Sequence, residues 1–240
     1  MQLEIAVQDV AGARIASDAG VDRVELCSAL SLGGVTPSVG VIEAVVAAAT
    51  CPVHVLVRPR PGDFVYSRDE VDVLLGDVRV AVAAGATGVV VGALSDGAVD
   101  AEILARLGDA AEGADVTFHR AFDLVTDTVA ALDLLAAHRV RRVLTSGGAS
   151  SAVDGMPGLR RLVALAQGRV EIMAGGGVTI ESIPDLADLG VDAVHLSAKL
   201  LRRVAGGFSL GADSREGVME WDATDPQLVA RARAAVSGSS

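Results

Sequence analysis

A carboxylate and a thiol alternate in the apolar run that leads from Arg23 to Ser28. Glu25 and Cys27 are two residues apart, so in a β-strand both side chains point to the same face. A partly buried carboxylate can exchange protons near neutral pH, and a thiolate is a ligand for soft metals. The run therefore forms either a wall of the core or a chemical site.

Two histidines follow on later apolar runs and could complete a site with Glu25. His54 and His119 carry imidazoles that can be tuned towards neutral pH. In this interpretation Glu25 and His119 are the proton-transfer groups. The alternative is a satisfied buried pair of glutamate with histidine or arginine that only holds the protein interior together.

Glycine-rich segments and arginines indicate a site for an anion. Exposed backbone N–H groups in such segments can cradle phosphate or carboxylate, and guanidinium groups bind the same anions. Alternatively, the glycines only make tight turns, and the arginines pair with Asp63 and Asp123 to fasten loops. The predicted ligand-binding residues are Arg58, Arg120, Ser146, Gly147, Gly148, Gly175, Gly176, Gly177 and Lys199.

Lys199 is the only lysine among the 20 basic residues. A desolvated lysine can form an imine with a carbonyl substrate, but we interpret Lys199 as an anion-binding residue or a simple charge.

These residues lie at the ends of short apolar runs that alternate with helical patterns, which predicts a repeated βα unit. Eight such units in 240 residues favour a single-domain (β/α)8 TIM barrel, a member of the α/β class that spans residues 1–240. An open doubly wound sheet would place its glycine-rich phosphate loop after the first strand, where this chain has Gln8, Asp9 and Val10. The predicted strands are residues 3–7, 23–27, 52–57, 88–91, 116–119, 142–145, 171–174 and 193–197.

In a barrel, alternation decides which side chains point into the interior, and chemistry belongs at the C-terminal ends of the strands. The predicted inward set is rich in polar residues, and the aliphatic residues between them should meet the helices. The predicted inward residues are Glu25, Cys27, His54, Leu56, Arg58, Thr117, His119, Val143, Thr145, Glu171, Met173, His195, Ser197 and Lys199.

The overall charge excludes some partners. A net charge of -11 argues against a nucleic-acid or anionic-membrane surface, because both require a basic patch. Neither a signal peptide nor an apolar run long enough to span a bilayer is visible. We therefore expect a small molecule or a metal ion as the partner, and neither nucleic acid nor a membrane.

Seven segments, in this order, resemble the CutC copper-homeostasis family across nearly the full length. The resemblance implies a cytoplasmic (β/α)8 barrel that often self-associates and is proposed to bind copper, without an established enzymatic reaction. The family usually has His-x-Ser-Ala-Arg near the eighth strand, where this chain has Lys199 in place of the arginine. The segments are VELCS (24–28), GGVTPS (33–38), VHVLVRPR (53–60), GDFVYS (62–67), TFHRAFD (117–123), VLTSGG (143–148) and IMAGGGV (172–178).

For copper, the cofactor that this resemblance suggests, the two cysteines are too far apart to share one ion. Cys27 ends the second strand at the top of the barrel, whereas Cys51 precedes the third strand at the bottom. We therefore predict a Cu(I) site formed by Cys27, His54 and His119, with Met173 as a further candidate ligand. Cys51 is interpreted as a small hydrophobic residue that seals the barrel floor.

Overall fold

The computed structural model describes residues 1–205 and 218–239 and forms a closed barrel of eight parallel strands. In order around the barrel, β1 is flanked by β8 and β2, and the other strands follow in sequence. The (β/α)8 TIM barrel predicted from the repeated pattern is confirmed. The strands are β1 (Gln2–Val7), β2 (Arg23–Leu26), β3 (Val53–Leu56), β4 (Gly88–Val91), β5 (Asp115–Phe118), β6 (Arg142–Thr145), β7 (Glu171–Gly175) and β8 (Ala193–Leu196).

A helix follows each strand, and five of the eight that the structure describes start at a side chain that accepts hydrogen bonds from the first free N–H groups. Asp9 caps the first helix and accepts from the N–H of Gly12, and Asp225 caps the last one ahead of Pro226. The helices are α1 (Val10–Asp18), α2 (Val39–Ala48), α3 (Arg68–Ala83), α4 (Ala101–Ala110), α5 (Thr128–Ala137), α6 (Met156–Ala166), α7 (Ile183–Asp188) and α8 (Pro226–Gly238).

The outward strand faces pack against the helices and form the main apolar core. Val24, Ile172 and Val194 are buried there, as the alternation predicts. For β6 the predicted face is wrong, because Val143 lies in this outer core and Thr145 bonds to a loop aspartate. Arg142 bonds to interior side chains instead. The strand therefore begins one residue out of phase with the prediction, and a buried arginine occupies the barrel interior.

Two short antiparallel hairpins extend the barrel and have no counterpart in the sequence prediction. One joins Leu94–Ser95 to Ala98–Val99, and the other, the C-terminal hairpin, joins Lys199–Ala205 to Val218–Thr224. The C-terminal hairpin starts directly after Ala198, whose left-handed φ of 40° ends the alternation of β8. Lys199 therefore does not continue the inward face of β8, which corrects the prediction.

The predicted single domain of residues 1–240 includes residues 206–217 and 240, which lie outside the described residues. Within the described part, no helix is both long and apolar enough to cross a membrane.

Candidate functional site

The strand register places three charged side chains next to one another inside the barrel. Glu4 on β1 is opposite Arg23 on β2 and opposite His195 on β8. The Nε of Arg23 donates to Oε2 of Glu4, and Nδ1 of His195 lies 2.7 Å from Oε1. Glu25, two residues above Arg23 on the same face, has its Oε2 atom 3.6 Å from Nδ1 of His195. We call Glu4, Arg23, Glu25 and His195 the Glu4 cluster.

The four groups of this cluster set one another's protonation. Burial acts to raise the pKa of Glu4, but the His195 hydrogen bond and the Arg23 charge outweigh it and hold this pKa well below its ordinary range. Burial raises the pKa of Glu25 to about 7, and the ionised Glu4 adds to the rise. Oε2 of Glu25 is buried and has no hydrogen-bond partner among the described residues. Glu25 can therefore change its protonation state near neutral pH.

The charge of His195 follows from its two carboxylate neighbours. Burial acts to lower its pKa, but the Glu25 charge and the Glu4 hydrogen bond raise it overall. Because Glu4 stays ionised, Nδ1 of His195 carries the hydrogen shared with Glu4. The carboxylate fixes the orientation of the ring and stabilises its protonated form, as a positioning carboxylate does beside a general acid or base.

A cavity of about 440 Å³ opens above His195 at the C-terminal ends of β7 and β8. The loop after β7, which starts at Gly176, forms one wall, and Ser197, Lys199 and Arg231 form the other. Glu4 is fully buried, whereas 14% of the His195 side chain is exposed. The imidazole is therefore the member of the Glu4 cluster that meets the cavity.

Among the described residues, one group of three donors lies close enough to hold a metal ion. The donor atoms of Glu4, Glu25 and His195 are all within 4.8 Å of one another. Two carboxylates and an imidazole suit a hard or borderline divalent ion rather than Cu(I). In addition, Arg23 already neutralises Glu4, and a hydrogen lies between Glu4 and His195. We therefore interpret this group as a proton network.

The three residues predicted to bind Cu(I) do not form such a group. Cys27 is buried against Leu56 and Val90, and burial raises the pKa of its thiol, with the charge of Glu25 adding to the rise. Cys51 is half-buried at the other end of the barrel, with its Sγ atom 3.6 Å from the Ser17 hydroxyl. Both thiols are free, in the positions that the sequence predicts.

His54 belongs to an ion-pair network in the barrel floor. Its Nδ1 lies 3.3 Å from Nη1 of Arg142, which also pairs with Asp115 and Glu171. Burial lowers the pKa of His54 to about 4, and the charges of nearby arginines lower it further. The ring fits because Gly88 on β4 has no side chain, since a Cβ there would lie 2.6 Å from Nε2. This matches the alternative in which a buried histidine holds the interior together.

The predicted anion cradle after β6 is filled by the protein's own carboxylate. Asp123 accepts from the N–H groups of Ser146 and Gly148, and the N–H of Gly147 donates to Thr145. Arg120 pairs with Asp123 at 2.9 Å. The N–H groups and the guanidinium of Arg120 therefore hold the loop in place. This is the alternative stated from the sequence, in which the glycines make turns and the arginines pair with loop aspartates.

The loop after β7 differs from the loop after β6, because its residues Gly176 and Gly177 line the cavity. Gly176 has a φ of 85° and lies against the guanidinium of Arg120, where a side chain would not fit. Gly175 is the last residue of β7 and is buried. Lys199 lines the same cavity from the C-terminal hairpin, and its Nζ lies 2.6 Å from Asp222.

His119 and Arg58 lie at the ends of β5 and β3. Nδ1 of His119 accepts from the N–H of Ala121, and burial lowers the pKa of His119 to about 3. Arg58 donates to loop carbonyl groups, including that of Gly34 at 2.9 Å. Among the described residues no hydrogen bond joins Glu25 to His119, the predicted proton-transfer pair, whereas Glu25 lies 3.6 Å from His195.

Alternation on β8 predicts His195 in the interior but gives it no role, and Glu4 is not among the predicted site residues. The available signal was alternation on β1, where Glu4 is the one ionisable residue of an apolar strand. Its partners depend on the register between β1, β2 and β8, which no local pattern encodes.

A model of the CutC family matches residues 1–200. The chain belongs to the CutC family. Among CutC relatives, the human copper homeostasis protein cutC homolog is 45% identical over 202 residues, which cover 83% of this chain and 74% of the human one. The CutC family protein of Pasteurella multocida is 44% identical over 201 residues, covering 83% and 82% of the two chains.

A crystal structure of a copper homeostasis protein CutC from Streptococcus agalactiae has a TM-score of 0.77 and 32% identity, covering 81% of this chain and 97% of that one. Thiamine phosphate pyrophosphorylase from Pyrococcus furiosus has a TM-score of 0.62 at 13% identity, covering 99% of this chain and 96% of that one, a likeness of fold alone.

Proposed function

We propose that the protein is a barrel enzyme that moves a proton on a small phosphorylated or carboxylated metabolite, with His195 as the general acid or base. The observation that carries the proposal is the contact of 2.7 Å between Nδ1 of His195 and the fully buried Glu4 at the cavity floor. A buried carboxylate that positions an imidazole is a recurrent arrangement for proton transfer.

Glu25 has the second role in this proposal. Its pKa of about 7 lets it accept or release a proton at physiological pH, and it lies 3.6 Å from the same nitrogen of His195. Its ionisation therefore changes the charge beside His195 and, with it, how strongly the imidazole holds a proton. In this proposal His195 replaces His119 as the partner of Glu25.

The anionic end of the metabolite belongs in the cavity after β7 and β8, where barrel enzymes often bind phosphate. The loop from Gly176 onward, Lys199 and Arg231 line this space. Each cation has a carboxylate partner, Asp222 for Lys199 and Glu181 for Arg231. An anion bound here therefore contacts Lys199 and Arg231 while Asp222 and Glu181 remain paired with them.

The test combines binding with hydrogen exchange. Inorganic phosphate should bind the wild-type protein, and Lys199→Met should weaken it. A panel of small hydroxy acids, keto acids and sugar phosphates in D₂O should include a compound that gains deuterium at carbon. His195→Gln should abolish that exchange and keep phosphate binding, whereas His138→Gln, at the far end of α5, should change neither. Exchange that survives in His195→Gln would contradict the proposal.

A role in copper homeostasis is a second proposal, and the names of the human and Streptococcus agalactiae relatives support it. Cys27 provides the soft ligand at the barrel mouth, and His54, His119 or Met173 would have to move towards it. We expect Cys27→Ser to lower Cu(I) affinity in a competition assay with a chromogenic chelator, and Cys51→Ser to lower it much less. Equal effects near zero would reject the Cys27 site.

Two further proposals concern the cellular location and the oligomeric state of the protein. We place the protein in the cytoplasm because two free thiols suit a reducing compartment, which fractionation of cells can test. We also propose a homo-oligomer, because the C-terminal hairpin exposes Leu200, Val204 and Trp221. Analytical ultracentrifugation should then show a mass above 24.3 kDa, and Trp221→Ser should reduce it.

A further inference from the structure

The hydrogen position on His119 follows from one contact. Its Nδ1 accepts the backbone N–H of Ala121 at 3.2 Å. A ring nitrogen that accepts a hydrogen bond carries no hydrogen of its own, so the imidazole of His119 is neutral in this arrangement, and burial keeps its pKa low. A neutral imidazole whose Nδ1 accepts must carry its hydrogen on Nε2. This Nε2 is buried and has no hydrogen-bond partner within residues 1–205 and 218–239.

A second buried donor, the side chain of Arg58, lies beside the Phe64 ring. Arg58 is 7% exposed, and its Nη1 and Nη2 atoms donate to the carbonyl groups of Gly34 and Gly62. Its Nε has no partner among the described residues. The Phe64 ring lies 5.2 Å from Cζ of Arg58 and 4.7 Å from the centre of the His119 ring. Two side chains next to Phe64 therefore each have a buried N–H donor without a partner among the described residues.

The backbone beside this pair is shaped for the imidazole. Gly92, directly after β4, leaves the space that the His119 ring occupies, and a Cβ there would overlap the ring. Since β3, β4 and β5 are neighbours, Arg58, Gly92 and His119 form one side of the barrel mouth. The cavity above His195 lies on the side of β7 and β8.

We propose that His119 and Arg58 form a second binding subsite, which takes an oxygen acceptor such as the carboxylate or keto group of a metabolite. Both free groups are N–H donors, and one belongs to a permanent cation, so the subsite selects an acceptor and favours an anion. Phe64 covers the pair and moves aside when the ligand enters.

This inference extends the proposed function by giving the metabolite a second point of attachment, and it rests on that function only for the identity of the ligand. Leaving a buried donor unpaired is unfavourable, and an oxygen of the ligand would remove that cost. Malonate, which carries two carboxylates and no phosphate, is a suitable probe.

The test uses the full chain labelled with ¹⁵N-histidine, and long-range ¹H–¹⁵N spectra report which nitrogen of each ring carries hydrogen. We expect the Nε2–H form of His119 at neutral pH and a shift of this resonance on adding malonate. His119→Phe should weaken malonate binding about tenfold or more. His119→Gln, whose amide keeps a donor, should retain most of the affinity, and His138→Phe should match the wild-type protein.

The outcomes separate this subsite from the proposed function. An Nδ1–H tautomer, no malonate-dependent shift in the wild-type protein, or equal malonate affinity in His119→Phe would each overturn the subsite. Lys199→Met should weaken inorganic phosphate without moving the His119 resonance. Failure of phosphate binding or of hydrogen exchange alone would count against the proposed function and leave the His119 subsite intact.

Discussion

Replacing Glu25 by glutamine should make the protein more stable at alkaline pH. Burial raises the pKa of Glu25 from 4.5 to about 7, so the native state holds a proton that the unfolded chain releases between these values. Stability from this group is therefore present below pH 4.5 and lost as the pH rises through 7. A tenfold change in proton affinity corresponds to about 1.4 kcal/mol, so the loss is about 3 kcal/mol.

Glutamine has the same shape and does not ionise. We expect Glu25→Gln to have a higher free energy of unfolding than the wild-type protein at pH 8, by up to about 3 kcal/mol. At pH 5 the two proteins should differ by less than about 1 kcal/mol, because Glu25 is protonated there in the native state. Urea denaturation, followed by far-UV circular dichroism from pH 5 to pH 9, measures the difference.

Glu4→Gln is the matched control, since Glu4 lies in the same cluster and its pKa is shifted the other way. Removing its charge leaves Arg23 buried without its partner, which should destabilise the protein by about 3–5 kcal/mol at pH 7. A stability difference between wild type and Glu25→Gln that does not change with pH would refute the assigned pKa. The same sign for both variants at pH 8 would refute the opposite roles of the two carboxylates.

Three further predictions concern residues outside the Glu4 cluster. Gly92→Ala should lower the melting temperature, because a Cβ would overlap the His119 ring, whereas Gly76→Ala in α3 should raise the free energy of unfolding by about 0.5–1 kcal/mol. Asp123→Ala should lower the free energy of unfolding by about 3 kcal/mol in urea, because the loop that starts at Ser146 loses its common acceptor. A thiol reagent at pH 8 should modify Cys51 before the buried Cys27, as peptide mass spectrometry would show, and equal rates would contradict the burial.

Periodicity was sufficient to predict the barrel because each βα unit repeats the same local pattern. The outward rows, such as Val24 and Ile172, were confirmed because one buried face fixes the phase of a strand. The phase of β6 was predicted wrongly because Arg142 is a charged residue that the interior pairs with Asp115 and Glu171. The alternation of apolar and polar residues does not reveal that a charged side chain is buried inside the barrel, where ion pairs compensate its charge.

The candidate site depended on contacts that no local pattern reveals. Glu4 and His195 are 191 residues apart in the chain and meet only through strand register. The glycines after β6 had the composition of an anion cradle, and only the structure shows Asp123 in that place. Gly88 at the start of β4 and Gly92 directly after its end each make room for a histidine, His54 on β3 and His119 directly after β5. These glycines were the available signal for the two interior imidazoles.

The copper and proton-transfer proposals differ in how they depend on pH. Burial raises the pKa of the Cys27 thiol, and the carboxylate of Glu25 adds to the rise, so a Cu(I) ion that binds there must displace a proton. Below that pKa, Cu(I) affinity should rise about tenfold for each unit of pH if one thiolate forms on binding. A proton-transfer rate that depends on Glu25 should instead change near pH 7 and then level off. Measuring both pH profiles on the same protein therefore separates a metal site at Cys27 from chemistry at His195. Glu25→Gln should abolish the step near pH 7 in the rate profile. The same variant should leave the pH dependence of Cu(I) affinity in place, because copper still displaces one proton from Cys27.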